Sequence, residues 1–149
     1  MPKSDSTIRS KKLYTLTLGG GGVFWATTIA TSLLPIAAEY RASFSNRSWS
    51  IQSVWVGSLL AGLIIGGGVS YALLRFLERH PTKHAIPGST LLGCVALVVA
   101  TILIDVPRIS HGSSEAWHYF LIGIVLNAPR FLLLGVAVGY LCRRVSGSE

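Results

Sequence analysis

The sequence predicts an all-α integral membrane protein, a bundle of four antiparallel transmembrane helices with both termini in the cytoplasm. Half of the 149 residues are hydrophobic and only 13% are charged, whereas soluble domains carry about 25% charged residues. The charged residues are bunched between four long apolar segments, and most of the basic ones lie on one side of those segments. This composition excludes a soluble globular domain, a disordered chain and a disulfide-linked scaffold.

Four segments are long enough to cross a bilayer, whose ~30 Å hydrocarbon core needs about 20 apolar residues. The expected spans are residues 13–38, 51–74, 88–106 and 117–142, in a single transmembrane domain over 1–149 with a basic tail over 1–12. The first span is longer than the about 7–15 apolar residues of a secretory signal, so we expect it to be retained. Pro87 and Gly88 indicate a break before the third span.

The orientation follows from the Lys and Arg residues, which are enriched in cytoplasmic loops. Nine flank the predicted spans on one side and three on the other, and Arg130 lies inside the fourth span. The nine are Lys3, Arg9, Lys11, Lys12, Arg75, Arg79, Lys83, Arg143 and Arg144, and the three are Arg41, Arg47 and Arg108. We therefore expect a multi-pass protein of a cell or inner membrane with both termini in the cytoplasm. Anionic lipid headgroups at the cytoplasmic face account for the net charge of +7 without a nucleic-acid partner.

Small residues recur at four-residue spacing in three of the spans, a pattern that lets helix backbones approach closely in lipid. We expect helix packing through these positions. They are Gly22, Ala26 and Ala30 in the first span, Ser58, Gly62, Gly66 and Ser70 in the second, and Gly135 and Gly139 in the fourth.

Two glycine runs, residues 19–22 and 66–68, fall at one depth if the first two spans are antiparallel. Each glycine costs a helix about 1 kcal/mol relative to alanine, so a run of four is a weak point unless neighbours enclose it. Two interpretations stay open beside a simple hinge. The runs either mark a close crossing of the two helices or form an unwound segment that lines a cavity, as in transporters with broken helices.

One polar group of residues, Asn127 and Arg130, lies in the middle of the fourth span beside Pro129. An Arg at the bilayer centre costs about 2.5–3.5 kcal/mol on insertion scales, so it faces protein or water and needs a partner. Asn127 and Arg130 are three residues apart and share a helix face. Counting by depth, Asp105 at the end of the third span is the expected partner. The alternatives are an Arg130 that binds an anionic group and one that reaches the interface.

Three function classes are compatible with these features. The one we favour is a non-catalytic membrane protein, either a subunit of a membrane complex or a homo-oligomer. The second is a small channel or transporter for an anionic or polar solute at the Asn127/Arg130 site. The third is a membrane-embedded enzyme with acids and histidines on the outer side. Those residues are Glu39, Asp105, His111, Glu115 and His118.

Motifs for cofactors and metals are sparse. The sequence has no phosphate-binding loop, no nucleophile motif and no Cys pair with the spacing of a zinc site. Glu115 and His118 are close enough in sequence to share one helical turn, but a solvated cluster at the interface explains them as well. We therefore expect no cofactor and no bound metal.

Overall fold

A computed structural model describes residues 3–43, 50–77, 85–104 and 116–146, and these residues are helical without any strand. The chain order of the helices is simple. They are α1 (Lys3–Ser32), α2 (Pro35–Ser43), α3 (Ile51–Leu77), α4 (Ala85–Ile104) and α5 (Ala116–Ser146).

Within the described residues, three helices are long and apolar enough to cross a membrane. They are Ile51–Leu77, Ala85–Leu103 and Trp117–Val145, in α3, α4 and α5. The helix α1 has comparable length but is not among them. Its sequence explains why, since four glycines and five threonines dilute its apolar part, which starts at Leu13.

The predicted first span, residues 13–38, is corrected by the structure. The helix α1 ends at Ser32, and α2 starts at Pro35 after a two-residue turn. Pro35 has no N–H to continue the helix, and it disfavours helical geometry at the residue before it. The turn is held by the Leu34 N–H, which donates to the Thr31 carbonyl at 3.2 Å.

The predicted break at Pro87 and Gly88 is also corrected. The helix α4 begins at Ala85 and includes both residues in its first turn. The N–H groups of a first helical turn have no intrahelical acceptor, so proline is tolerated there. The fourth predicted span lies within α5, which continues through Pro129 without interruption.

The glycine run of residues 19–22 is helical, because α1 is continuous across it. The interpretation as an unwound segment is therefore wrong. Neighbouring helices enclose the run. A Cβ atom added to Gly21 would lie 3.1 Å from the Gly62 carbonyl oxygen in α3, and one added to Gly20 would lie 2.6 Å from a Val138 methyl group in α5.

The helices α1 and α3 make a close backbone crossing at the glycines. A Cβ atom on Gly62 would lie 3.0 Å from the Gly21 carbonyl oxygen, and one on Gly66 would lie 3.2 Å from the Thr17 carbonyl oxygen. No side chain larger than hydrogen fits at either position without a shift of backbone. We call the residues Thr17, Gly21, Gly62 and Gly66 the glycine crossing.

A second close crossing joins α4 and α5. A Cβ atom on Gly135 would lie 2.7 Å from the Ser89 carbonyl oxygen, and one on Gly139 would lie 2.7 Å from the Ile86 Cα. Gly93 faces the Phe131 carbonyl oxygen in the same way, at 2.6 Å. The bundle thus contains two helix pairs that meet through backbone.

The contacting face of α1 differs from the predicted one. Gly22 would have nothing within 4 Å of an added Cβ atom, and Ala26 and Ala30 are exposed. The face that packs instead carries Thr17, Gly20, Gly21, Phe24 and Thr28, which are buried except for the partly buried Thr17. The stripe of small residues at 22, 26 and 30 is a poor guide because it lies beside the buried face.

The core lies between α1, α3 and α5. Its largest members are completely buried leucines and a valine, Leu16, Leu73, Leu134 and Val138. The rings of Phe24 and Phe131 meet edge to face at 5.3 Å between their centroids. One polar group in this region, the Ser70 hydroxyl, is buried with no hydrogen-bond partner among the described residues.

Candidate functional site

The Arg130 guanidinium joins α5 to the end of α1. Its Nε and Nη2 groups both donate to the Thr31 hydroxyl oxygen, at 3.0 and 2.7 Å, and its Nη1 group donates to the Asn127 side-chain oxygen at 3.0 Å. The side chain is partly buried. The guanidinium is thus held by residues that lie 3 and 99 positions away in the chain.

The Thr31 hydroxyl is suited to this role because it has one donor and two acceptor lone pairs. Its O–H donates to the Thr28 carbonyl at 3.2 Å, so both lone pairs face Arg130. Val at this position would have a similar shape and no acceptor.

The position of Thr31 in α1 adds an electrostatic contribution. Thr31 lies in the last turn of the helix, which ends at Ser32. The last four carbonyls of a helix lack intrahelical partners and give that end a partial negative charge of about half a unit. A cation beside them is stabilised, so the break before Pro35 gives Arg130 a favourable environment without an acidic residue.

A second set of hydrogen bonds joins the same end of α1 to α3. The Trp25 Nε1–H donates to the Trp55 carbonyl at 3.0 Å, and the Trp55 Nε1–H donates to the Ser32 hydroxyl at 3.1 Å. The Ser58 hydroxyl donates to the same Trp55 carbonyl at 2.9 Å. We call Trp25, Thr31, Ser32, Trp55, Asn127 and Arg130 together the polar layer.

The short helix α2 packs beside the polar layer against α5. Ala37 is buried in a small cluster with Ile122 and Leu126, with Tyr119 at its edge. The neighbouring Leu33, Leu34 and Ile36 are exposed apolar residues at the start of α2. The chain therefore turns sharply after Ser32 and covers part of α5 on the side of its N-terminus.

The structure brings two of the three predicted site residues together. Asn127 and Arg130 are in direct contact, whereas Asp105 lies outside the described residues. The pairing of Asp105 with Arg130 therefore stays a prediction. The predicted packing positions Gly62, Gly66, Gly135 and Gly139 lie in the two close crossings, and Ser70 is buried beside the first.

Thr31 and the two tryptophans are site residues that the sequence reasoning missed. One signal was present, because Thr17, Gly21, Phe24, Thr28 and Thr31 repeat at alternating spacings of four and three residues. This spacing is typical of one helix face. The buried face of α1 therefore continues through Thr31, although only its apolar and small residues attract notice in the sequence.

The outer acids and histidines are described only in part. Glu39 lies in α2, and the His118 ring meets Tyr119 edge to face at 5.8 Å. Asp105, His111 and Glu115 lie outside the described residues. Within 3–43, 50–77, 85–104 and 116–146, no three His, Cys, Asp or Glu residues group together in a way that would hold a metal ion.

Comparison with known proteins gives no family for this chain. No family model, no curated protein and no solved structure matches it.

Proposed function

We propose that the chain is a multi-pass integral membrane protein of the non-catalytic kind, acting as a subunit of a membrane complex or as a homo-oligomer. The helices α1, α3, α4 and α5 are its four spans. In α1 the spanning part is residues 13–32, whose 20 residues reach ~30 Å at ~1.5 Å each, the thickness of a bilayer core. The polar layer ties three of these spans together.

An antiparallel arrangement is supported by the order of the contacts. Along α1, Thr17, Gly21 and Trp25 meet Gly66, Gly62 and Trp55 of α3 in turn, so one number rises as the other falls. Along α4, Ile86, Ser89 and Gly93 meet Gly139, Gly135 and Phe131 of α5 in the same opposed order. Short connections between successive helices favour such neighbours.

The termini are assigned to the cytoplasm on the distribution of basic residues. Arg75 ends α3, and Arg143 and Arg144 end α5, on the side where α1 begins with its basic tail. Basic residues next to a membrane gain about 1 kcal/mol each near anionic lipid. Anionic headgroups at the cytoplasmic face are therefore the partner we assign to this end.

The observation that carries the non-catalytic assignment is the bonding of Arg130. Two of its nitrogens bind Thr31 and a third binds Asn127. A guanidinium used to bind a solute needs a water path and exchangeable donors, whereas one that ties helices together needs fixed acceptors. The polar layer supplies fixed acceptors from two helices.

A cysteine-labelling experiment tests topology and site together. In a background of Cys94→Ala and Cys142→Ala, a membrane-impermeant thiol reagent should label Ser113→Cys in intact cells. It should label Ser10→Cys only after permeabilisation. Labelling of Ser10→Cys in intact cells would contradict the assigned orientation.

The same reagent applied to Asn127→Cys separates the function classes. A structural polar layer is closed to water, so this cysteine should stay unlabelled from both sides, even in permeabilised cells. Rapid labelling from either side would show a water path to Arg130 and favour a channel or transporter. The neighbouring Val125→Cys, which is exposed towards lipid, is the matched control for depth.

A further inference from the structure

A groove between α3 and α4 remains outside the polar layer and the two crossings. It is an open cavity of about 460 Å³ whose lining is apolar throughout, within the range of about 300–1,000 Å³ typical of ligand sites. Small residues of both helices line it at four-residue spacing. They are Gly68 and Ala72 of α3 and Ala96 and Ala100 of α4.

The groove has the length of one leaflet. Its lining on α4 runs from Leu92 to Leu103, which is ~16 Å at ~1.5 Å per residue. Half of a ~30 Å bilayer core is ~15 Å. At one end the helices meet, since the Phe76 ring lies 3.4 Å from the Cβ position of Gly88.

That closed end carries positive charge. Arg75 lies three residues beyond Ala72, on the groove side of α3, and is exposed. The first turn of α4 lies beside Phe76, and the N-terminus of a helix carries a partial positive charge. Neither α3 nor α4 contains an acidic residue within its bounds.

We propose that this groove binds one acyl chain of an anionic glycerophospholipid, whose phosphate lies at Arg75. The inference rests on the assignment of α3 and α4 as membrane spans. The apolar lining and the leaflet length fit an acyl chain, and the basic end fits its headgroup. The small residues Gly68, Ala72, Ala96 and Ala100 leave the space that the chain fills.

Native mass spectrometry of the full chain tests this, after reconstitution in nanodiscs of equal parts phosphatidylglycerol and phosphatidylcholine. The wild type should retain one phosphatidylglycerol. Gly68→Leu should lose it, because a Cβ atom there meets nothing within 4 Å, so the leucine enters the groove without disturbing the fold. Gly57→Leu is the matched control, since that position is equally open and lies outside the groove.

The headgroup is tested separately. Arg75→Gln should reduce the preference for phosphatidylglycerol over phosphatidylcholine about fivefold, the ratio that ~1 kcal/mol per basic residue near a membrane represents. Arg143→Gln, at the end of α5, should leave the preference unchanged. Equal retention of the two lipids by the wild type would overturn the assignment of the phosphate to Arg75.

Two further results would overturn the proposal. If Gly68→Leu retains lipid as the wild type does, the acyl chain lies elsewhere. If the wild type carries no lipid and Gly68→Leu converts a dimer to a monomer, the groove holds a second copy of the chain. Failure of the membrane topology is recognised independently, because it changes the labelling of Ser10→Cys and Ser113→Cys in the wild-type groove background.

Discussion

The two halves of α1 contact their neighbours by different means. Near Thr17 and Gly21 the helix meets α3 through backbone, and an added methyl group would lie 3.0–3.2 Å from backbone atoms. Near Thr31 and Ser32 it meets α3 and α5 through side-chain hydrogen bonds. The glycine crossing is a fit of shape, in which added volume is the cost. The polar layer is a fit of donors to acceptors, in which a lost partner is the cost.

The largest effect is expected at the charge of the polar layer. Removing one partner of a buried ion pair typically costs about 3–5 kcal/mol, because the other charge is left unsatisfied. If Asp105 pairs with Arg130, Asp105→Leu and Arg130→Leu should each lower the free energy of unfolding by that amount. The double variant should recover much of the loss. Steric trapping in bicelles measures these free energies.

A different outcome would sharpen the comparison. If Asp105→Leu is harmless while Arg130→Leu is severe, no ion pair exists. Thr31, Asn127 and the carbonyl end of α1 would then be the groups that stabilise the guanidinium.

A smaller effect is expected from added volume at a backbone crossing. In Gly135→Ala, the new methyl group would lie 2.7 Å from the Ser89 carbonyl oxygen and 2.9 Å from the Thr90 Cα. Overpacking of this kind costs about 1–3 kcal/mol, and the apparent melting temperature in detergent should fall accordingly.

Gly22→Ala is the matched control for that substitution. Its added methyl group meets nothing within 4 Å, and alanine is favoured over glycine in a helix by about 1 kcal/mol. The control should therefore raise the melting temperature slightly. A loss of stability equal to that of Gly135→Ala would show that close packing is not what distinguishes the two positions.

The smallest effect is expected from one hydroxyl. Thr31→Val removes the oxygen that accepts two hydrogen bonds from Arg130 and should cost about 1–2 kcal/mol, near the upper end of values measured for hydrogen bonds in membranes. Thr27→Val is the control, because the Thr27 hydroxyl donates only to the Val23 carbonyl of its own helix. Equal losses for the two variants would place the effect in helix propensity.

The sequence predicted the glycine crossing better than the polar layer, for a physical reason. Close approach of backbones requires small residues at a fixed spacing, and Gly62 and Gly66 show that spacing within one segment. The partner of Arg130 is a threonine 99 residues away, a residue type common in helices and unremarkable by itself. The helix ends at Ser32 and Ala85 were misplaced because proline acts oppositely at the end and at the start of a helix.

The most direct test of the account is a double-mutant cycle between Thr31→Val and Arg130→Leu, measured as free energies of unfolding. If Arg130 joins α5 to α1 through Thr31, Thr31→Val should cost about 1–2 kcal/mol in the wild type and almost nothing once Arg130 is leucine. The two losses would then fail to add by about the full cost of Thr31→Val. Losses that add to within about 0.3–0.5 kcal/mol, as for independent sites, would contradict the central claim that the polar layer ties these helices together.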